Sequence, residues 1–430
     1  MKLNHLKKSD PRLYKLISAE IKRQDETLDL IASENFVSPE ILEVLGSPLT
    51  NKYSEGYPGK RYYPGNLYYD EIEELARTRA LKAFKLNSKN WSVNVQPYSG
   101  SPANLAIYFA LTKPGDILMG MDLASGGHLS HGHKATISGK LFKSIQYSVD
   151  KKTGLINYSE VEKLAKKHKP RIIISGYSAY PRKIDFKKFG EIAKSVGAYH
   201  LADISHIAGL VSAGFHSSPF PYADVVMTTT HKTLRGPRGA VIFSRKEKML
   251  HASGFMLHEA IDKTIFPGIQ GGPHNNAIAA IAVAFGEALK PNFKKYQQQI
   301  IKNARVLAES LKKYDFNLVS GGTDNHLLLI DLKNLDIGGL EAEKILESAG
   351  IIANRNSISG DTSPFNPSGL RLGAPAVTTR GFKEKEMKKI ADWIYRLLIK
   401  KEKPSLIKKE VLKLLKQRRL KGRPLTNKYE

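Results

Sequence analysis

From Ser92 to Ser244 the chain alternates short apolar runs with amphipathic stretches, and this alternation restricts its fold more than any other feature. WSVNVQPY leads into PANLAIYFALT, DILMGM follows, and RIIISGY leads into FKKFGEIAKSV; YHLADIS, ADVVMTT and AVIFS complete the series. Buried strands separated by helical crossovers form a mostly parallel α/β sheet. After AIAAIAVAFGEAL and a long polar helix through YQQQIIKNARVLAESLKKY the pattern changes. HLLLIDL, a helix around GLEAEKILESAG, IIANR and GLRLG predict a smaller α+β unit from about Pro291. A chain of 430 residues is expected to divide in this way, into one large and one smaller domain. At the other end, SDPRLYKLISAEIKRQ predicts a helix with Asp10 as its N-cap and Pro11 at its first position.

The chain contains no cysteine, so disulfides, thiolate catalysis and cysteine-bound metals are excluded. The start, MKLNHLKKSDPRLYKL, lacks the apolar core of a signal peptide. The run AIAAIAVAF is far shorter than the roughly 18 residues a membrane helix needs. The expectation is a cytoplasmic protein with no membrane association. A formal net charge of +26 raises the question of nucleic acid. From Lys400 to Glu430, however, twelve Lys/Arg face three Asp/Glu. The remaining excess is spread as single lysines on helix faces, without an aromatic RNA-binding signature, so a basic tail is noted and nucleic acid is not the expected partner.

Open α/β sheets bind ligands outside the carboxyl ends of their strands, where the polar clusters of this sequence fall. YSGSPAN follows a strand and opens a helix, so Ser99, Gly100 and Ser101 can offer amides and hydroxyls to an anion. Read alone, the same residues also describe a plain serine cap. ADISHIAG places Asp203 and His206 just past a buried strand, a costly position for a carboxylate that meets no cation. TTTHKTLRGPRG places Lys232, preceded by Thr230 and His231, at the mouth of the sheet. An anion cradle, a buried aspartate and a strand-end lysine are what pyridoxal phosphate requires. The lysine forms a Schiff base, and its nucleophilicity depends on a depressed pKa.

ASEN at Ala32, LTNKYSEGYPGKRYY at Leu49, SGGHLSHG at Ser125, DISHIAGL, TTTHKTLRGPRG, FPGIQGGPHN and SGLRLGAPA together resemble serine hydroxymethyltransferase along nearly the whole chain. The resemblance implies the fold type I architecture of pyridoxal-phosphate enzymes. That is a large domain with a mostly parallel seven-stranded sheet and a smaller C-terminal α+β domain, assembled as a dimer or a pair of dimers. The boundaries become 1–50 for an N-terminal helical arm and dimer contact, 51–290 for the large domain, and 291–430 for the small domain with its basic tail. The implied activity is interconversion of serine and glycine with tetrahydrofolate as one-carbon acceptor, with aldol cleavage of 3-hydroxy amino acids as a side activity.

The resemblance also implies roles. Lys232 carries the cofactor, Asp203 meets the pyridinium nitrogen and His128 stacks on the ring. Ser99, Gly100, Ser101 and His231 hold the phosphate, joined by Tyr53, Gly271 and Gly272 of a neighbouring subunit. Ser178 and His206 lie at the ring hydroxyl. Arg371, helped by Ser33, takes the substrate carboxylate. Glu55 is the acid–base group with Tyr63 beside it, and Thr230 joins the catalytic set. Leu123, Gly127, His128, Leu129, Asn356 and the loop Ser363, Pro364 and Phe365 match folate contacts.

Each assignment has a plainer rival. Without its motif Glu55 reads as a solvated loop charge and Arg371 as a strand-end cap. His128 with His131 resembles a metal pair, yet a zinc site usually needs a third ligand, and no metal is expected. Three positions depart from the family pattern: Ser205 where alanine is frequent, Ala374 where threonine or serine is, and Tyr98 where histidine is. Two alternative functions remain at this level, a threonine-aldolase-like pyridoxal enzyme and a basic RNA-binding protein on the same scaffold.

Overall fold

In the computed structural model, residues 3–250, 254–361 and 367–418 are described. The alternating region forms a seven-stranded sheet: β1 (Trp91–Asn94), β2 (Ile117–Met121), β3 (Lys143–Tyr147), β4 (Ile172–Gly176), β5 (Tyr199–Asp203), β6 (Val225–Thr229) and β7 (Ala240–Arg245). Their spatial order is β1-β7-β6-β5-β4-β2-β3. The four pairings from β3 to β6 are parallel, and only β7 runs against its neighbours. The parallel strands β4, β5 and β6 are buried on both faces, which explains why they read as continuous rather than alternating apolar runs.

The parallel arrangement brings the carboxyl ends of β1, β4, β5 and β6 to one edge, and with them Ser99, Ser178, Asp203 and Lys232. A close approach fixes the last pair on β4 and β5. Gly176 lies opposite Asp203 with φ 147°, and a Cβ there would sit 2.2 Å from the Asp203 carbonyl oxygen. Only glycine lets the two backbones meet where Asp203 must emerge.

The C-terminal part forms a second, antiparallel sheet of four strands in the order Asn317–Leu318, Leu327–Asp331, Gly369–Gly373 and Asn354–Asn356. Leu328, Ile330, Leu370 and Leu372 bury one face against the helices Pro291–Lys312 and Glu384–Leu398. Each such leucine or isoleucine contributes about 1.5–3 kcal/mol on burial. Part of the first 50 residues also belongs to this body. Leu28–Asp29 pairs in parallel with Ile351–Ile352, and Leu28 and Leu30 are fully buried in its core. The helix Pro11–Glu26 starts as its sequence predicts, with Asp10 accepting from the Leu13 amide. Its C-terminal end is held by Arg380, which donates to the carbonyls of Gln24 and Asp25.

Candidate active site

A cleft with about 550 Å³ of space free of atoms opens at the carboxyl edge of the large sheet. Ser99, Gly100, Ser101, His128, Ser178, Asp203, His206, His231 and Lys232 all line it, from five separate chain segments. Asn104, Tyr177, Ser205, Met227, Thr229 and Arg238 complete the wall.

Lys232 is 8% exposed, its Nζ donates to Thr229 Oγ1 at 3.2 Å, and no carboxylate pairs with it among the described residues. Burial lowers its pKa to about 8; Asp203 opposes this, while Arg371 and Arg238 add to it. A buried amine whose pKa is lowered this far has a much larger neutral, nucleophilic fraction near neutral pH than an ordinary lysine.

Asp203 has the opposite setting. Burial penalises its charge, but His131 Nε2 at 2.9 Å, Asn104 Nδ2 at 3.1 Å and the Ser205 amide at 3.0 Å surround the carboxylate. With His128 nearby as well, these hold it well below the usual carboxylate range. An ionised carboxylate offers about four lone-pair sites, leaving room for one more donor from the cleft.

His128 accepts from the Ser130 amide through Nδ1 at 3.1 Å, which places its proton on Nε2. Burial, then His131, lowers its pKa to about 4, so the ring that lines the cleft is neutral. His231 is lowered to about 3 by burial and by Lys232 and Arg238, and its Nδ1 is buried with no hydrogen-bond partner among the described residues. His206 Nδ1 lies 3.2 Å from His326 Nε2, and both rings are kept neutral by burial.

Arg371 does not line the cleft itself but is tied to it through Ser178, and it is 8% exposed. Its Nε donates to Asn354 Oδ1 at 3.1 Å and its Nη1 to the Ser178 carbonyl at 2.9 Å, and it has no salt-bridge partner among the described residues. Burial lowers its pKa to about 10, opposed by Glu34. Ser33 lies in an adjoining hollow that shares His231 and Arg238 with the cleft.

Other expected residues lie elsewhere. Thr230 does not line the cleft; its hydroxyl is donated to the Pro237 carbonyl at 2.6 Å and shapes the turn after β6. Tyr53, Glu55, Tyr63, Gly271 and Gly272 are brought together outside the cleft. The Tyr53 and Tyr63 rings lie 5.4 Å apart. A Cβ on Gly272 would be 3.0 Å from the Tyr53 ring, and one on Gly271 3.4 Å from Glu55 Oε1. Tyr98 links this group to the cleft by stacking on His274 at 4.1 Å and donating to the Gly272 carbonyl at 2.7 Å.

Leu123, Gly127, His128 and Leu129 follow β2 in one loop, and Leu129 is 45% exposed. Asn356 ends the edge strand of the small sheet. Ser363, Pro364 and Phe365 lie outside the described residues. Of the departures, Ser205 accepts the Thr229 amide at 3.1 Å through its hydroxyl, and Ala374 is fully buried. Sequence reasoning missed Asn104, Arg238 and His326 and gave His131 the wrong company. The Arg238 in TLRGPRG, six residues after Lys232, was the one of these within reach of its motif.

The residues present fit pyridoxal phosphate: an amine with no ion-pair partner among the described residues, an ionised aspartate with spare lone pairs, and a buried histidine nitrogen with no hydrogen-bond partner among them, in a cleft shared with a helix N-terminus. Fold and site define a fold type I pyridoxal-phosphate enzyme. The family model for serine hydroxymethyltransferase matches residues 6–394 of the 430, and the chain belongs to that family. It is therefore a pyridoxal-phosphate-dependent transferase of one-carbon metabolism and glycine formation, interconverting serine and glycine with tetrahydrofolate. No helix among the described residues is long and apolar enough to cross a membrane.

Proposed function

We propose that the chain converts serine and tetrahydrofolate to glycine, 5,10-methylenetetrahydrofolate and water, reversibly, with the cofactor carried on Lys232. The observation that carries this reading is the buried Lys232, with no salt-bridge partner among the described residues, near an ionised Asp203. Pyridoxal phosphate, when bound, supplies an aldehyde for amines and a ring that withdraws electrons from the substrate's Cα. Lys232, with a pKa near 8, gives up its proton far more readily than an ordinary lysine and is steadied by Thr229. Asp203, ionised, would hold the cofactor's ring nitrogen in its protonated form, and the neutral His128 would offer the ring a stacking face. Ser99, Gly100 and Ser101 at the start of the helix Gly100–Leu111, with His231, offer donors to the phosphate. Arg371 offers the amino acid's carboxylate a planar two-donor fork, its buried charge otherwise uncompensated.

Glu55 moves the proton at the serine hydroxyl, and it does so in the neighbouring subunit of a homodimer. Two facts support this. Glu55 and Tyr53 lie outside the cleft of their own chain. The same hairpin region also exposes Tyr53, Tyr62, Leu67 and Tyr68 by 58%, 72%, 67% and 71%, an apolar surface of the kind that marks an interface. Leu123, Gly127, Leu129 and Asn356 form the folate side. Aldol cleavage of 3-hydroxy amino acids without folate follows from the same site, and the setting is cytoplasmic. Glycine and then tetrahydrofolate, added to the cofactor-loaded protein, should change the cofactor absorbance in two steps. Folate-dependent serine turnover should accompany them. A spectrum indifferent to tetrahydrofolate, with no serine turnover, would favour the threonine-aldolase-like alternative.

A further inference from the structure

Glu55 sits in a short stretch whose backbone is held from several sides. Gly56–Tyr57 and Lys60–Arg61 form a tight antiparallel hairpin, with Gly56 opposite Arg61. The Arg61 side chain, 4% exposed, folds back across this hairpin. Its Nη1 donates to the Ser54 carbonyl and to the Gly56 carbonyl, both at 2.8 Å, so the guanidinium grips the chain on either side of Glu55. The guanidinium is itself fixed from the helix Leu67–Ala83. Its Nε donates to Asp70 Oδ1 and its Nη2 to Glu73 Oε2, each at 2.8 Å. Gln96 closes the network from the end of β1, donating to the Gly56 carbonyl at 2.9 Å and to Glu73 Oε1 at 3.0 Å. The Tyr62 amide takes the Glu55 carbonyl at 3.0 Å.

We propose that Arg61 is a positioning residue for the serine–glycine reaction: its guanidinium, braced by Asp70 and Glu73, sets the backbone that aims Glu55. The inference rests on the reading of Glu55 as the acid–base group. Five donors in a rigid fork can hold two carbonyls and two carboxylates at once, which a lysine ammonium cannot do with the same geometry. The carbonyls of Ser54 and Gly56 would otherwise have to find other partners in a buried place. The stake is high because displacing a reacting group by about 1 Å can cost about 10²-fold in rate.

The test is a double-mutant cycle on the full-length, cofactor-loaded enzyme, with variants Arg61→Lys, Glu55→Gln and the pair. Arg61→Lys should cut folate-dependent kcat by about 10–10²-fold and leave the KM for serine within about twofold. In the Glu55→Gln background the same change should cost less than about twofold, because the group it aims is already gone. An equal loss in both backgrounds, or a loss confined to KM, would overturn the proposal. Full activity in Glu55→Gln alone would instead refute the reading of Glu55, a separate result. Amide hydrogen exchange over residues 53–57 should quicken in Arg61→Lys and not in Glu55→Gln, and unchanged exchange in Arg61→Lys also counts against the clamp. If Arg61→Lys does not fold, Glu73→Gln keeps the shape and loosens only the brace. It should show the same non-additivity with Glu55→Gln at smaller size, and strict additivity there would overturn the proposal.

Discussion

His131 Nε2 lies 2.9 Å from Asp203 Oδ2, joining a loop after β2 to the end of β5 across 72 residues of sequence. The contact turns a histidine with the look of a metal ligand into a support of the buried Asp203 carboxylate. Hydrogen bonds to a buried charge contribute about 1.5–3 kcal/mol. His131→Leu should therefore weaken cofactor binding by about 10–10²-fold, read as Kd from absorbance titration of the cofactor-free protein. An unchanged Kd would show that Asn104 and the Ser205 amide suffice.

Burial of Lys232 carries a pH signature. Its folded pKa of about 8 lies below the ordinary lysine value of 10.5, so between these values the unfolded chain holds more protons and stability rises with pH. Below pH 8 the penalty is present in full, and it fades toward 10.5. Cofactor-free Lys232→Met should then be more stable than the parent at pH 7 by on the order of 3 kcal/mol, an advantage that shrinks as pH climbs through that window. Denaturant melts at pH 7 and pH 10 measure it. A constant difference would mean that Lys232 keeps an ordinary pKa.

Arg371 is a buried charge with no salt-bridge partner among the described residues. Arg371→Ala should weaken serine and glycine binding by about 2–5 kcal/mol, and Arg371→Lys should recover little, because the two-point fork is lost. Calorimetric titration with glycine is the check. Near-normal affinity in Arg371→Ala would remove the carboxylate role.

The sheet and its order of elements were legible because buried strands and amphipathic helices differ in period. Strand-end chemistry was legible too, since Asp203 and Lys232 each follow an apolar run directly. Facing was harder. Thr228, Thr229 and Thr230 are consecutive, and a shift of one residue exchanges the two faces of a strand. Thr229 turns to Lys232, while Thr230 turns to the Pro237 carbonyl. Contacts such as His131 with Asp203 or His206 with His326 depend on three-dimensional closure and leave no local pattern. The place of Leu28 and Leu30 in the small body escaped notice because a two-residue strand has no readable period.

Exchange of Glu55 between subunits has its own test. Inactive Lys232→Ala and Glu55→Ala proteins, dissociated and reassociated in equal amounts, should regain about a quarter of the sites, since each mixed dimer holds one complete site. A mixture that exchanges subunits and stays inactive would place Glu55 in the site of its own chain.

The central claim, that Lys232 holds the cofactor, is tested most directly by trapping. The cofactor-loaded protein is reduced with borohydride, digested and examined by mass spectrometry. The pyridoxyl mass should fall on the peptide containing Lys232 and on no other lysine, and Lys232→Arg should give no label and no steady turnover. A label on a different lysine, or full labelling of Lys232→Arg, would contradict the account.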